Sequence, residues 1–292
     1  MIFIRGRGHY TCRLPCHLNF YSVLNFNVLL FIYYIYMPAK ASVGNDIKKI
    51  IVFDLDETLG YFSEFGIFYD AVERFSGNRM THPQSFKLIE LFEKEIVRPR
   101  ITTILREIAL MKRRGTVDCV MIYTNNQGGP EWTYMIKDYF ENRIGVGRLF
   151  DKTVCAYRAG GPGSDDNRRT THSKTYNDLV VRCCKLPKTT QVCFVDDQLH
   201  PGMRNNANVY YLKVPPYVFS LPPQIFVERF IGSTISAQIR RLKKTSEFTN
   251  HVLKCFSRTE YYKYSPKTPD SLKVDKKIGT ELLEMVRKFG SE

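Results

Sequence analysis

No two of the eight cysteines in this 292-residue chain form a C-x-x-C pair. That absence argues against a zinc ribbon and against the spaced disulfide framework of small secreted domains. The cysteines are Cys12, Cys16, Cys119, Cys155, Cys183, Cys184, Cys193 and Cys255, and those beyond residue 100 fall mostly in apolar runs. They read as buried thiols in a reducing compartment, which implies an intracellular location, cytoplasm or nucleus. There is no internal repeat and no heptad run, so solenoid and long coiled-coil architectures are set aside. Acidic residues are short relative to basic ones, 29 Asp and Glu against 43 Lys and Arg, giving a formal net charge of +14. This balance favours anionic partners such as phosphate esters, nucleic acid or an acidic membrane surface, and it carries no information about fold.

What is present suffices for one large domain, or one domain with a modest appendage. Residues 19–37 (NFYSVLNFNVLLFIYYIYM) form an apolar, aromatic stretch preceded by Arg5, Arg7 and Arg13 and followed by Lys40. Its length sits near the transmembrane threshold of about 18 residues. Asn25 and Asn27 interrupt it. A membrane or interfacial anchor fits, and so does a leader preceding a second candidate start at Met37; a cleavable signal peptide fits poorly. Residues 1–46 are therefore expected to stand apart from the folded domain, with a membrane as one candidate partner.

Ile50 to Phe53 read as a short buried strand ending at Asp54. Residues 61–97 look like an insertion, irregular and aromatic at first and helical from about Gln84. Pro99 opens a helix whose Ile101, Ile104, Leu105, Ile108 and Met111 keep helical spacing until Gly115. Cys119 to Tyr123 make a second strand ending at Thr124, and a helix carrying Trp132, Met135, Ile136, Tyr139 and Phe140 follows. Further strands are expected at residues 153–157, 192–195 and 209–214, with a polar loop over 160–172 and a helical stretch over 174–184. Strands alternating with helices predict an α/β fold: a Rossmann-like parallel sheet with helices on both faces and a small insertion after its first strand. The expected division is a domain over 47–222 and a basic helical extension over 223–292, with Arg240, Arg241, Lys243, Lys244, Lys273, Lys276 and Lys277. These charges read as a solvated helical face or as a grip for nucleic acid.

The polar residues fall where chemistry is expected, because Asp54, Thr124 and Asp196 each follow a short apolar strand and parallel strands bring those ends together. Hydrolysis of a phosphate ester by covalent catalysis needs a nucleophile, a proton donor and acceptor, and neutralisation of the phosphoryl charge. Asp54 fits the nucleophile, and Asp56, two residues on, fits the general acid and base. Asp196 offers oxygen to a hard cation, Lys174 a positive charge, and Thr124 a hydroxyl. Taken singly, each acid also reads as a helix cap or turn residue, and Thr58 as the cap of the turn after the first strand. Lys185 and Lys188 compete with Lys174 for its role, while His172 and His200 read as loop residues.

The segments DLDET (Asp54 to Thr58), YTNN (Tyr123 to Asn126), Lys174 and VDD (Val195 to Asp197) together resemble the haloacid-dehalogenase-like superfamily of phosphohydrolases over roughly residues 48–220. Within it the chain looks similar to the phosphatases of the C-terminal repeats of RNA polymerase II, since VFDLDETL is followed by Arg98-Pro99 before the YT strand. Those phosphatases commonly carry Asp-Asn in the last motif and small residues after the Thr; here Asp196-Asp197 and Asn125-Asn126 stand there. The resemblance implies a Mg²⁺-dependent phosphatase with Asp54 as nucleophile and Asp56 as acid and base. Thr58, Thr124, Asn125 and Lys174 would contact phosphate. Mg²⁺ would be held by Asp54, Asp56 through its carbonyl, Asp196 and Asp197. A phosphorylated substrate, a protein by preference, is the implied partner; a polynucleotide-end phosphatase or a phosphotransferase is the alternative. A receiver-like phosphoacceptor module, the non-enzymatic alternative, conflicts with the chain order of the motifs.

Overall fold

Ile50, Ile51, Val52 and Phe53 are all fully buried, because the strand they form is covered on both faces, as the unbroken apolar run requires. The computed structural model describes residues 33–34 (backbone only), 48–158, 169–238, 245–260 and 262–292. The strands are β1 (Tyr33–Tyr34), β2 (Lys49–Phe53), β3 (Cys119–Tyr123), β4 (Lys152–Val154), β5 (Gln191–Asp196) and β6 (Val209–Lys213). They form one sheet in the order β1-β6-β5-β2-β3-β4. The five strands β2 to β6 are all parallel, and β1 adds a two-residue antiparallel edge to β6. The chain enters at β2, builds outward through β3 and β4, and then crosses to β5 and β6 on the other side. The carboxyl end of β2 is therefore the topological switch point, where open α/β sheets bind ligands.

Helices α1 (Ser63–Ser76), α2 (His82–Glu90), α3 (Glu93–Ile96), α4 (Ile101–Arg114) and α5 (Pro130–Ile144) lie among the first strands. A π-helix (Asn177–Cys183) precedes β5 and α6 (Pro201–Arg204) follows it. The chain ends with α7 (Pro223–Ile231), α8 (Thr234–Gln238), α9 (Thr245–Ser257) and α10 (Pro269–Ser291). Cover of the two faces is unequal. Ile51, Phe53, Val120, Ile122, Val195 and Leu212 face a large apolar cluster built with α1, α2, α4, α5, α7, α9 and α10. Ile50, Val52, Met121, Phe194 and Tyr211 face a smaller one, closed by Leu179, Val180 and Cys183 of the π-helix and by Met203.

The structure refines several expectations. Helix begins at Ser63 rather than near Gln84: Phe65, Phe68, Ala71 and Val72 of α1 are buried at helical spacing, a periodicity that the intervening aromatics and Gly66 had obscured. The strand expected over 153–157 is Lys152–Val154, and the expected helix before β5 is π-helical. Residues 223–292 share the large apolar cluster, through Phe226, Phe230, Phe248, Phe256, Leu282 and Phe289, so this extension packs as part of the main body. Lys273, Lys276 and Lys277 are exposed on α10, whereas Arg240, Arg241, Lys243 and Lys244 lie outside the described residues. So does the 19–37 stretch, apart from β1. Among the described residues no helix is long and apolar enough to cross a membrane, Cys183 and Cys193 are buried, Cys119, Cys155, Cys184 and Cys255 are half-buried, and all six are unpaired.

Candidate active site

Neighbouring parallel strands bring the expected residues together. Asp54 follows β2, with its amide donating to Val195 O at 2.9 Å; Thr124 follows β3, and Asp196 ends β5. Lys174 reaches this edge from the loop before the π-helix. Its Nζ lies 2.5 Å from Asp54 Oδ1 and 2.7 Å from Asp196 Oδ2, with the side chain 2% exposed. The rings of Tyr123 and Phe194 stand 5.8 Å from the same ammonium. Lys185 and Lys188 are exposed beyond the π-helix, so Lys174 is the lysine that serves the carboxylates.

Asp54, Asp196 and Asp197 are buried, and each places a carboxylate oxygen within 4.8 Å of the others. One ammonium cannot balance three carboxylates packed this closely. The oxygen-only donor set and the surplus negative charge fit a hard divalent cation. The Asp56 carboxylate lies outside this trio, which leaves only its main-chain carbonyl as the metal contact implied above. It instead accepts a hydrogen bond from Asn126 Nδ2 at 2.6 Å. Asn126 is itself fixed, since its Oδ1 accepts from Gly128 N at 2.7 Å and its backbone N–H donates to Thr124 Oγ1 at 3.0 Å.

The electrostatics separate the four acids. Burial pushes Asp54 up to about 7 despite the charge and hydrogen bond of Lys174, and the charge of Asp196 adds to the rise. Burial also raises Asp56, against the Asn126 hydrogen bond and the Lys174 charge. Asp197 is raised by burial and by its neighbour Asp196. Asp196 goes the other way: burial works to raise it, but the His200 hydrogen bond and Lys174 together hold it below the usual carboxylate range. On Lys174, burial is outweighed by Asp54 and Asp196, so the ammonium is held charged above its ordinary value.

The remaining expected residues are placed less directly. Thr58 binds Asp197 twice: its Oγ1 accepts from the Asp197 amide at 3.1 Å and lies 3.3 Å from Asp197 Oδ1. Its hydroxyl thus ties the first loop to the last motif. Asn125 turns its side-chain oxygen to Arg169 and is held beside the cluster rather than in it. Three residues matter here that the sequence reading had not assigned. Asn126 stood in the quoted motif, and a second amide directly after a strand end was a usable signal. His200 Nε2 lies 3.3 Å from Asp196 Oδ2; its spacing four residues after Asp196 was the available clue. Arg169, buried in a loop that offered no pattern, donates to Thr124 O at 3.2 Å and His172 O at 2.6 Å. Its guanidinium stands 4.6 Å from the Tyr123 ring centre, so it ties the Thr124 loop to the segment that delivers Lys174. No family model, curated protein or solved structure matches this chain.

Proposed function

We propose that this protein is a Mg²⁺-dependent phosphatase of the haloacid-dehalogenase-like type, which passes a phosphoryl group first to Asp54 and then to water. The observation that carries the reading is the buried Lys174 ammonium bridging Asp54 and Asp196 at the switch point of the sheet, beside Asp197. A carboxylate between an ammonium and a cation site suits attack on an anionic phosphoryl group, whose charge is the main obstacle.

In the first step an Asp54 carboxylate oxygen bonds to phosphorus, the ester P–O bond breaks, and the leaving alkoxide takes a proton from Asp56. In the second, water attacks the aspartyl-phosphate and gives a proton to Asp56; the Asp54–phosphorus linkage breaks and inorganic phosphate leaves. Mg²⁺, held by Asp54, Asp196, Asp197 and the Asp56 carbonyl, would supply neutralisation of the phosphoryl charge. Lys174 shares that task. Thr124 Oγ1 already accepts from Asn126, so its own O–H is available to a phosphoryl oxygen. Burial favours the protonated form of Asp56 that the first step uses, and Asn126 aims its carboxylate.

A phosphoprotein is the substrate we favour. The insertion over 61–97 buries its apolar side chains in the helical layer on one face of the sheet instead of forming a separate cap, which suits an open site and a bulky substrate. Hydrolysis of an aryl phosphate tests the activity. It should be lost in chelator and return with Mg²⁺, and Asp196→Ala should fall by at least about 10²-fold while remaining folded. Full turnover in excess chelator would remove the metal from the reading. Phosphopeptides, 3′-phosphorylated oligonucleotides and small phosphate esters, compared by kcat/KM, then discriminate the substrate class; preference for the oligonucleotide would favour the polynucleotide-end alternative.

A further inference from the structure

Arg98 takes no part in the carboxylate cluster, yet it is 1% exposed and all three of its hydrogen bonds go to backbone carbonyls. Its Nε donates to Thr58 O at 2.6 Å, and its Nη2 donates to Glu57 O at 2.5 Å and to Pro215 O at 2.8 Å. Tyr217 N–H donates to the same Glu57 carbonyl at 2.8 Å. Glu57 has φ of 59°, a left-handed conformation that a residue with a Cβ adopts at a cost and keeps only when its surroundings enforce it. Two donors on its carbonyl are that enforcement. Because a trans peptide points its C=O and N–H to opposite sides, turning the Glu57 carbonyl toward Arg98 turns the Thr58 N–H away from it. The Glu57–Thr58 peptide of the loop that follows Asp54 and Asp56 is therefore held by Arg98 together with the Tyr217 N–H.

The C-terminal segment stands directly behind. The Arg98 guanidinium lies 5.5 Å from the Tyr217 ring centre and Lys267 Nζ lies 4.8 Å from it, so two cations share one ring. Lys267 is ion-paired with the buried Asp275 of α10. Burial works against the charge on Arg98, and Asp275 is foremost among the groups that support it. One turn further along α10, Gly279 lies so near residue 99 that a Cβ there would meet Pro99 O at 2.4 Å. Arg98 Nη1, finally, is buried without a hydrogen-bond partner among the described residues. A guanidinium buried and incompletely paired is unfavourable for stability alone.

We infer that Arg98 is a positioning residue for the loop that follows Asp54 and Asp56, and that the C-terminal segment, through Asp275 and the packing of α10 on residue 99, holds it in place. Its catalytic consequence rests on the phosphatase reading; its effect on the loop does not. Lysine keeps the charge at position 98 but cannot present the planar fork that three carbonyls require.

Two variants, Arg98→Lys and Asp275→Asn, test this by aryl phosphate kinetics and by amide hydrogen exchange of peptides covering residues 55–61. Arg98→Lys should lower kcat by about tenfold or more with KM changed by less than about threefold, because misplacement of reacting groups acts on the transition state, and loop exchange should quicken. Asp275→Asn should move both readouts in the same direction by a smaller factor, about threefold in kcat. It carries the test alone if Arg98→Lys does not fold. Wild-type kcat and wild-type loop exchange in a folded variant would overturn the inference. If the unmodified chain hydrolyses no phosphate ester at all, the phosphatase reading fails, and the exchange rates still decide whether Arg98 holds the loop.

Discussion

Lys174 faces two carboxylates and can fully compensate neither while a third, Asp197, stands close by. The strain falls on Asp54, which burial raises to about 7. A carboxyl whose folded-state pKa lies above its unfolded value contributes stability that is present below the unfolded value and lost as pH rises through the folded one. The cation-free protein should therefore lose stability between about pH 4 and pH 7 on account of Asp54, with Asp56 and Asp197 acting in the same direction. A divalent cation offsets this loss by binding the ionised form. The rise in Tm on adding Mg²⁺, read by scanning calorimetry, should be larger at pH 8 than at pH 5.5; an equal rise at both would contradict the charge balance described. Asn126 offers a second test. Its amide favours the charged form of Asp56, so Asn126→Ala should raise the Asp56 pKa further. With an activated aryl ester, where attack of water is the demanding step and needs Asp56 ionised, the acidic limb of the kcat profile should move to higher pH. A limb that stays in place would show that Asp56 is not the group titrating there.

At the scale of elements, α10 packs tightly on the chain around residue 99 at Gly279, where helix propensity and packing make opposite predictions. Alanine is favoured over glycine in a helix interior by about 0.5–1 kcal/mol, but its Cβ would sit 2.4 Å from Pro99 O and 3.2 Å from Arg100 Cβ. Overpacking against backbone costs about 1–3 kcal/mol. Gly279→Ala should accordingly lower the urea midpoint; a stabilised variant would show that α10 does not press on residue 99. How legible such features were depended on whether they were local. β2, β3 and β5 could be read because each is a short apolar run closed by a polar residue, and α4 because its apolar spacing stops at Gly115. α1 carried the same information at Phe65, Phe68 and Val72, hidden among aromatics that also suit strands and irregular segments. Asp54, Thr124 and Asp196 were legible as neighbours because strand ends converge in any parallel sheet, whereas Lys174 reaches them from a loop. Arg98 and Arg169 were not, because Arg98 binds only backbone carbonyls far away in sequence, Arg169 reaches across to Thr124 O and the Asn125 side chain, and no spacing rule encodes those.

For the molecule as a whole, a buried nest of carboxylates sits in a chain of formal net charge +14. Such a field raises the encounter rate with anionic substrates and is screened beyond about 8–10 Å at ordinary ionic strength. For a multiply charged phosphopeptide, kcat/KM should fall as salt rises from about 0.05 to 0.3 M, while kcat at saturation changes little; a salt-independent kcat/KM would leave the basic surface without a role in capture. The proposed phosphatase activity depends on one residue, Asp54, at the switch point of the sheet. Rapid quench of the protein with an aryl phosphate and Mg²⁺, followed by intact-mass measurement and peptide mapping, tests that most directly. The expected result is a single phosphoryl adduct on Asp54, more abundant in Asp56→Asn because water attack is slowed, and absent from Asp54→Asn together with turnover. An adduct mapped to another residue, or an Asp54→Asn protein with normal turnover, would contradict it.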